Sequence, residues 1–218
     1  MEKQYNKYVI NLKRRPDRLQ NFKNNFGDFA NDIEVIYGFD GKNFFNESKE
    51  EQEMTKKCFN LNRGEIGCAL SHFRIYQDII DNYNYGIIFE DDAIPSENFN
   101  EKIDSVLKDM PENCDILFLG GRFEPNIQLK EPYYVKVTNN IMMHNIKLWD
   151  MWMHERTTHG YIISKNLARF LLDKFETENM SCAMDNWFLQ AIKNNNYNIY
   201  NSQPLLCYSP MNSNSDIR

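Results

Sequence analysis

The sequence lacks the features that mark membrane, nucleic-acid-binding and disulfide-rich proteins. No apolar run approaches the about 18 residues that a membrane span needs, so no transmembrane segment is expected. The net charge of −6 disfavours a nucleic-acid-binding surface, because such domains are usually basic. The five cysteines are irregularly spaced and form no CxxC pair, which argues against a disulfide framework and against structural zinc.

Sequence motifs for targeting and lipidation are missing as well. The N-terminal stretch MEKQYNKYVINLKRR starts a strand pattern almost at once and contains no signal-peptide core with a cleavage site. The C-terminal stretch NSNSDIR carries no retention or lipidation motif. Together with the scattered cysteines, this predicts a protein of a cytosol-like, reducing compartment.

What is present is an ordinary globular composition with alternating strand and helix patterns. The chain has 218 residues with 42% hydrophobic and 26% charged residues, enough for one large core. No internal repeat and no linker divides it, so residues 1–218 are predicted to form a single α/β domain. Strands are predicted at residues 7–13, 34–37, 85–89, 114–121, 133–137 and 160–164, with a last one near the C-terminus, and helices at 16–26, 61–83, 97–110, 165–175 and 181–193.

The stretch around which the chain is organised is the strand at residues 85–89, which runs directly into Glu90, Asp91 and Asp92. Ligand sites of open α/β sheets collect at such strand ends, and three adjacent carboxylates need a cation to neutralise them. On an extended chain Glu90 and Asp92 point to one side and Asp91 to the other. The pattern indicates a hard divalent cation with oxygen ligands. The alternative is an acidic turn capping a helix that begins at Ser96 and Glu97.

Two further stretches have the composition of a phosphate or nucleotide site. Arg14, Arg15 and Arg18 separate the first strand from the first helix, where they either meet a phosphate or form a solvated surface loop. The turn GFDG, residues 38–41, predicts a left-handed backbone at its second glycine. The long helix at 61–83 opens with glycines that allow close approach of a ligand, and it carries a histidine that is either a ligand contact or structural.

Taken in order, these pieces resemble glycosyltransferase family 25, which includes lipooligosaccharide galactosyltransferases and collagen hydroxylysine galactosyltransferases. The matching pieces are YVINLKRRPDRLQNF, GFDG, GEIGCALSHF, GIIFEDDAIPSENF, DILFLGG, THGYIISKNLARFLL and MDNWFL. They cover most of the chain. The resemblance implies a GT-A type, Rossmann-like domain with a mainly parallel central sheet flanked by helices, a UDP-sugar donor, Mn²⁺ or another divalent cation, and inversion at the anomeric carbon.

The resemblance also implies roles for individual residues. Asp92 is the expected direct metal ligand, Glu90 completes the metal site or contacts the ribose together with Asp91, and His159 is a further metal ligand. Asp185 is expected to be the catalytic base that takes the proton of the acceptor hydroxyl, with helix capping as its alternative role. Trp149 and Trp152 either stack on a sugar or belong to the core. The remaining donor contacts implied by the family motifs are Asn11, Arg15, Arg18, Asp40, Gly41, Ser71 and His72.

The expected activity is therefore transfer of a hexose, with galactose favoured, from a UDP-sugar to a hydroxyl of a collagen-like protein or of a lipooligosaccharide. The expected location is the cytoplasm of a bacterium or of a virus-infected host cell. Two alternatives come from other classes. One is a catalytically silent sugar- or protein-binding module that keeps the fold. The other is a metal-dependent phosphohydrolase, disfavoured because a second acidic cluster for a two-metal site is missing.

Overall fold

The strands of the molecule form one large sheet and one small one. The structure, a computed structural model, describes residues 4–46, 48–121, 128–148, 157–193 and 195–209. Within these ranges the large sheet has eight strands in the order β2-β1-β3-β9-β5-β10-β8-β7, and the small sheet has the order β4-β11-β6. The strands are β1 Tyr5–Asn11, β2 Glu34–Tyr37, β3 Tyr85–Glu90, β4 Ile94–Pro95, β5 Ile116–Phe118, β6 Gly120–Gly121, β7 Tyr134–Lys136, β8 Ile141–His144, β9 Gly160–Ser164, β10 Ile199–Ser202 and β11 Cys207–Tyr208.

The large sheet is mainly parallel in strand direction. Strands β2, β1 and β3 pair in parallel, as do β5 and β10, while β9 and β8 run against their neighbours on both sides. The predicted α/β architecture, with a mainly parallel sheet flanked by helices, is confirmed. What the sequence pattern did not predict is that the reversed strand β9 lies in the middle of the sheet, next to the acidic strand β3.

Helices cover both faces of the large sheet. Alternate residues of each strand enter opposite clusters of buried side chains: Tyr8 and Ile88 pack with α3, α5 and α6, whereas Val9 and Ile87 pack with α1 and α4. This alternation is what a sheet buried on both faces requires. The α-helices are α1 Pro16–Phe26, α2 Lys49–Met54, α3 Arg63–Asn82, α4 Phe99–Asp109, α5 Lys165–Thr177 and α6 Met184–Lys193, and short 3-10 helices occupy Gly27–Ala30, Gly41–Asn46, Thr55–Lys57 and Ile146–Leu148.

Three local predictions are corrected by the backbone. The helix after the acidic turn begins at Phe99, preceded by Asn98 with a positive φ of 55°, so Ser96 and Glu97 do not start it. Helix α6 begins at Met184, three residues after the predicted cap Ser181. The backbone at Gly41 is not left-handed. Among the described residues, no helix combines the length and the apolar character that a membrane crossing requires.

Gly41 is required for a different reason than the predicted turn. A Cβ atom added there would lie 2.0 Å from the carbonyl oxygen of Arg63, at the start of α3. Gly67, one turn further along the helix, likewise has the carbonyl oxygen of Phe39 at 2.6 Å from such a Cβ. The two glycines therefore let the segment after β2 pack directly on the first turns of α3.

Candidate active site

The carboxyl end of β3 is where distant parts of the chain converge. The first strand β1 runs parallel to β3, so Asn11 at its end lies beside the acidic residues. Strand β9 runs antiparallel to β3, and Gly160 at its start pairs with Phe89. Because of this reversal, the residues that precede β9, not those that follow it, reach the end of β3.

A cavity of about 320 Å³ opens at this strand end. Its walls come from the ends of β1 and β3, from the segment after β2 and from the first turns of α3. The residues lining it include six of the seven predicted donor contacts outside the acidic cluster, Asn11, Arg18, Asp40, Gly41, Ser71 and His72, together with Glu90, Asp91 and Asp92. The structure thus brings together residues that are up to 81 positions apart in the chain, from 11 to 92.

Asp91 is held on the β1 side of the site. Its Oδ2 accepts a hydrogen bond of 2.7 Å from Asn11 Nδ2, and its Oδ1 lies 2.6 Å from Arg18 Nη2. Arg18 also reaches Asp92 Oδ2 at 3.2 Å. Both oxygens of Asp91 are engaged, so this carboxylate ties the start of α1 to the end of β3.

Glu90 and Asp92 face the other side, together with His159. One ligand atom of each of these three residues lies within 4.8 Å of the other two. Asp92 Oδ1 is buried, has no hydrogen-bond partner among the residues that the structure describes, and lies 3.9 Å from His159 Nε2. His159 Nδ1 is 2.9 Å from Thr157 Oγ1, which orients the ring. Two carboxylates and one imidazole at this spacing are suited to hold a divalent cation.

Thr158 connects the acidic cluster to Asp185. Its hydroxyl oxygen lies 2.5 Å from Glu90 Oε1 and 2.7 Å from Asp185 Oδ1. A hydroxyl carries one hydrogen, so it donates to one of the two carboxylates at a time. Asp185 stands in the first turn of α6, where the helix dipole favours the ionised carboxylate.

The three consecutive acids differ in their proton affinity. Burial alone would raise the pKa of Glu90, but the nearby His159 and His72 rings and the Thr158 hydroxyl lower it to about 2. Burial raises the pKa of Asp91 to about 6, against the opposing effects of Arg18 and Asn11. Burial also raises the pKa of Asp92, an effect that His159 opposes and Glu90 increases. The cluster therefore favours the binding of additional positive charge.

His72 belongs to a buried hydrogen-bonded chain of side chains. Its Nδ1 lies 2.8 Å from the hydroxyl of Tyr161, which lies 2.8 Å from the hydroxyl of Tyr76. Its Nε2 is 3.5 Å from Glu90 Oε1, and no described residue forms a hydrogen bond with it. Ser71 has a packing role beside the cavity, since its hydroxyl accepts from the backbone N–H of Phe39 and donates to the carbonyl of Gly67.

Sequence reasoning missed Thr158, Tyr161 and Cys68. Thr158 immediately precedes His159, but only the reversed direction of β9 places its hydroxyl between two carboxylates. Tyr161 looks like an ordinary core residue of a strand, and Cys68 looks like a buried thiol. The one available signal was the spacing of Cys68 and His72, four residues apart on a predicted helix and therefore on one face.

One predicted donor contact, Arg15, is not brought into this site, and two predicted aromatic contacts lie outside the described residues. The guanidinium of Arg15 donates to both carboxylate oxygens of Asp17, at 3.0 and 2.9 Å, and Arg15 is not among the described residues that line the cavity. Trp149 and Trp152 lie outside the described residues, so their predicted stacking on a sugar stays a prediction.

The sequence of the chain matches a known protein family. The model of glycosyltransferase family 25 (LPS biosynthesis protein) matches residues 4–188. A glycosyltransferase 25 family member of Aedes aegypti is 24% identical over 92% of this chain and 35% of its own length. Procollagen galactosyltransferase 1-A of Xenopus laevis is 27% identical over 76% of this chain and 28% of its own length. The lipooligosaccharide biosynthesis protein lex-1 of Haemophilus influenzae is 27% identical over 71% of this chain and 52% of its own length.

The chain thus spans between about a quarter and about half of the length of these relatives. Among solved structures, a Drosophila β-1,4-galactosyltransferase 7 mutant in complex with manganese, UDP-Gal and xylobiose matches 94% of this chain and 70% of its own chain, with 10% identity and a TM-score of 0.47. The family model covers most of the chain and includes both the acidic strand end and Asp185. The chain belongs to glycosyltransferase family 25.

Proposed function

We propose that this glycosyltransferase is metal-dependent. It transfers a hexose, with galactose favoured, from a UDP-sugar to an acceptor hydroxyl, and the configuration at the anomeric carbon is inverted. The observation that carries the proposal is the convergence of Glu90, Asp92 and His159 within 4.8 Å beside a cavity of about 320 Å³. A site for a nucleotide sugar needs such a pocket next to a group that neutralises a diphosphate.

The residues present fit a divalent cation such as Mn²⁺. Asp92 Oδ1 is a buried carboxylate oxygen without a hydrogen-bond partner, which a cation would satisfy. The donor set of carboxylate oxygens and one imidazole nitrogen is one that Mn²⁺ accepts. When bound, the cation would supply a Lewis acid that neutralises the charge on the leaving UDP.

The chain's own residues would bind and orient the donor. The cavity wall formed by Asn11, Asp40 and Gly41 would hold the nucleotide. Gly41 and Gly67 keep the backbone of two segments close together there. Arg18, bound to Asp91 and Asp92, adds positive charge at the same wall. Of the predicted donor contacts, Arg15 has the weakest geometric support.

Asp185 would act as the base. Inverting displacement needs a carboxylate that takes the proton of the attacking hydroxyl. Glu90 Oε1 and Asp185 Oδ1 both lie within hydrogen-bond distance of the Thr158 hydroxyl, so Asp185 stands one side chain away from the cluster that would hold the cation. The Thr158 hydroxyl, 2.7 Å from Asp185 Oδ1, would orient it.

The names of the relatives support two acceptors. The name of the Xenopus relative, a procollagen galactosyltransferase, favours galactose transfer to a collagen-like protein. The lipooligosaccharide biosynthesis protein of Haemophilus favours a saccharide acceptor. Both acceptors present a hydroxyl, and the same base and cation site would serve either reaction.

The decisive experiment measures UDP binding by calorimetry with Mn²⁺ and with EDTA. We expect tight binding only with Mn²⁺, and an affinity at least tenfold weaker in Asp92→Ala, while the matched control Asp81→Asn, an exposed carboxylate of α3, binds like the wild type. Equal affinity of Asp92→Ala and wild type would refute the metal assignment.

A donor and acceptor screen tests the reaction. UDP release from UDP-galactose and UDP-glucose would be measured with collagen-like peptides containing hydroxylysine and with lipooligosaccharide. We expect Mn²⁺-dependent release stimulated by one acceptor class. Normal UDP affinity with no release from any donor would instead favour a silent binding module.

A further inference from the structure

A second group of metal-ligating side chains lies in the wall of the same cavity. One ligand atom of each of Cys68, His72 and Glu90 lies within 4.8 Å of the other two. Cys68 and His72 are four residues apart on α3 and project from one helix face, and Glu90 meets them from the end of β3. All three residues line the cavity, so an ion that enters it reaches them.

The ring of His72 has a nitrogen whose hydrogen-bonding capacity is unused. The side chain is fully buried, and its Nε2 has no hydrogen-bond partner in the described part of the chain although it lies 3.5 Å from Glu90 Oε1. Its Nδ1 is 2.8 Å from the Tyr161 hydroxyl. When Nδ1–H donates to Tyr161, the lone pair of Nε2 points into the group. A ligating histidine typically donates its other ring N–H in this way.

The donor set distinguishes this group from the one formed by Glu90, Asp92 and His159. A thiolate, an imidazole and a carboxylate are the ligands that Zn²⁺ prefers, and three protein ligands leave a fourth position open. Metal–ligand bonds of about 2.0–2.3 Å in a tetrahedron place ligand atoms about 3.3–3.8 Å apart. The 3.5 Å between His72 Nε2 and Glu90 Oε1 falls in that range. A sulfur ligand also selects Zn²⁺ over Mn²⁺.

We propose that Cys68, His72 and Glu90 form a zinc site, and that Zn²⁺ bound there withdraws Glu90 from the neighbouring Mn²⁺ site. On binding, the Cys68 thiol gives up its proton to solvent, and no electron is transferred. Zinc is therefore an inhibitor of this enzyme that acts by competition for one shared carboxylate. The coordination stands without the proposed function, whereas the competition rests on it.

Cobalt substitution tests the coordination directly. Co²⁺ added to the reduced, metal-free protein is expected to give a thiolate-to-cobalt charge-transfer band in the near ultraviolet, which one equivalent of Zn²⁺ abolishes. The band is expected to be lost in Cys68→Ser and retained in Cys58→Ser, a half-buried cysteine that is not among the cavity-lining residues described here. No band in the wild type, or an unchanged band in Cys68→Ser, would overturn the proposal.

A measurement on the wild-type protein does not depend on the folding of a variant. Zn²⁺ is expected to slow alkylation of Cys68 by iodoacetamide at least tenfold, read by mass spectrometry, with Cys58 in the same sample as the internal control. Equal rates with and without Zn²⁺ would also overturn the site.

The competition has its own experiment. Zn²⁺ at a concentration that saturates the cobalt-binding site is expected to weaken Mn²⁺-dependent UDP binding more than tenfold in the wild type and less than threefold in Cys68→Ser. Equal weakening in both proteins would show that Zn²⁺ acts elsewhere. If UDP binding requires no Mn²⁺ at all, the proposed function fails while the cobalt result still decides the zinc site.

Discussion

Asp91 and Asp92 are neighbours in the chain, yet their surroundings differ in kind. Asp91 faces β1 and α1, where Asn11 and Arg18 engage both of its oxygens. Asp92 also reaches Arg18 through its Oδ2, but its Oδ1 lies 3.9 Å from His159 Nε2 and is buried without a hydrogen-bond partner among the described residues. The difference is confined to the two carboxylates. Among the described residues, buried polar atoms without a hydrogen-bond partner occur on both sides, with Asn11 Oδ1 on the β1 side and Asp92 Oδ1 and His72 Nε2 on the β9 side.

This difference shows how one strand end can combine a carboxylate that is fixed by its contacts, Asp91, with a carboxylate that is available to a ligand, Asp92. Asp91 and Asp92 are the central residues of a turn after β3, which the Ala93 N–H closes by donating to the Glu90 carbonyl, and their side chains reach different neighbours. The acidic triplet thus supplies one carboxylate, Asp91, for holding α1 in place through Arg18, and two, Glu90 and Asp92, for the proposed cation site. We call the side with Asn11, Arg18 and Asp91 the closed side, and the side with Glu90, Asp92 and His159 the open side. The contacts of the closed side hold the end of β3 in place and thereby position the residues of the open side. Changes on the open side should therefore affect chemistry, and changes on the closed side should affect stability.

The strongest test removes the base on the open side. Asp185→Asn keeps an oxygen that can accept from Thr158 but cannot take a proton, so we expect the transfer rate to fall by about 10²–10⁴-fold. UDP affinity should stay within about twofold, because Asp185 is not among the described residues that line the cavity. Turnover and calorimetry on the same preparation check both values. A variant with unimpaired turnover would remove Asp185 from the mechanism.

A test of the closed side uses pH. The folded-state pKa of Asp91, about 6, lies above its ordinary 3.8, so between these values the folded protein binds more protons than the unfolded one. Stability therefore falls as pH rises through this window, by about 2–3 kcal/mol in total. Glu90, with a pKa of about 2, acts in the opposite direction and at lower pH.

The measurement for Asp91 is the difference between two proteins. Urea unfolding of the metal-free wild type and of Asp91→Asn, each in EDTA, gives the two free energies of unfolding from pH 4 to pH 7. We expect the wild-type value to decline relative to that of the variant across the window. A constant difference would mean that Asp91 does not titrate there.

A smaller effect is expected where the open side connects the cluster to the base. Thr158→Val keeps the shape but removes the hydroxyl that lies between Glu90 and Asp185, so the transfer rate should fall about tenfold. Thr158→Ser restores the hydroxyl and should recover most of the rate. If both variants lose the same activity, the role of Thr158 is packing.

The smallest effect is expected at Arg15, which the structure places with Asp17 at the exposed start of α1. Arg15→Ala should change UDP affinity less than about threefold, since an exposed ion pair contributes little. Arg18→Ala, the matched change at the cavity wall, should weaken binding more. The reverse order of the two variants would restore Arg15 as a donor contact.

The acidic cluster was predictable from the sequence because its signal is local. A buried strand followed by three acids fixes the place, and Glu90 and Asp92 lie together with His159 as expected. The extended chain assumed in that prediction ends at Glu90, because Asp91 and Asp92 lie in a turn. Gly41 was found for the wrong reason. Its necessity comes from Arg63, 22 residues later, and a turn pattern carries no information about that contact.

The β9 side was less predictable because it depends on strand direction. A strand pattern at residues 160–164 is the same whether the strand runs parallel or antiparallel to its neighbours. Only the antiparallel arrangement brings Thr158 to Glu90, and only the fold places Tyr161 beside His72. The family resemblance supplied His159 and Asp185, but not the hydroxyl between the acids.

The position of β9 in the sheet has a consequence for folding of the chain during its synthesis. Strands β3 and β5 are both complete by residue 118, but the strand that belongs between them starts at residue 160. Until that segment leaves the ribosome, both β3 and β5 have an unpaired apolar edge, which is the kind of surface that promotes aggregation of nascent chains. Fragments that stop before residue 160 should therefore be insoluble, and chaperones should bind the nascent chain while residues 119–164 are being synthesised.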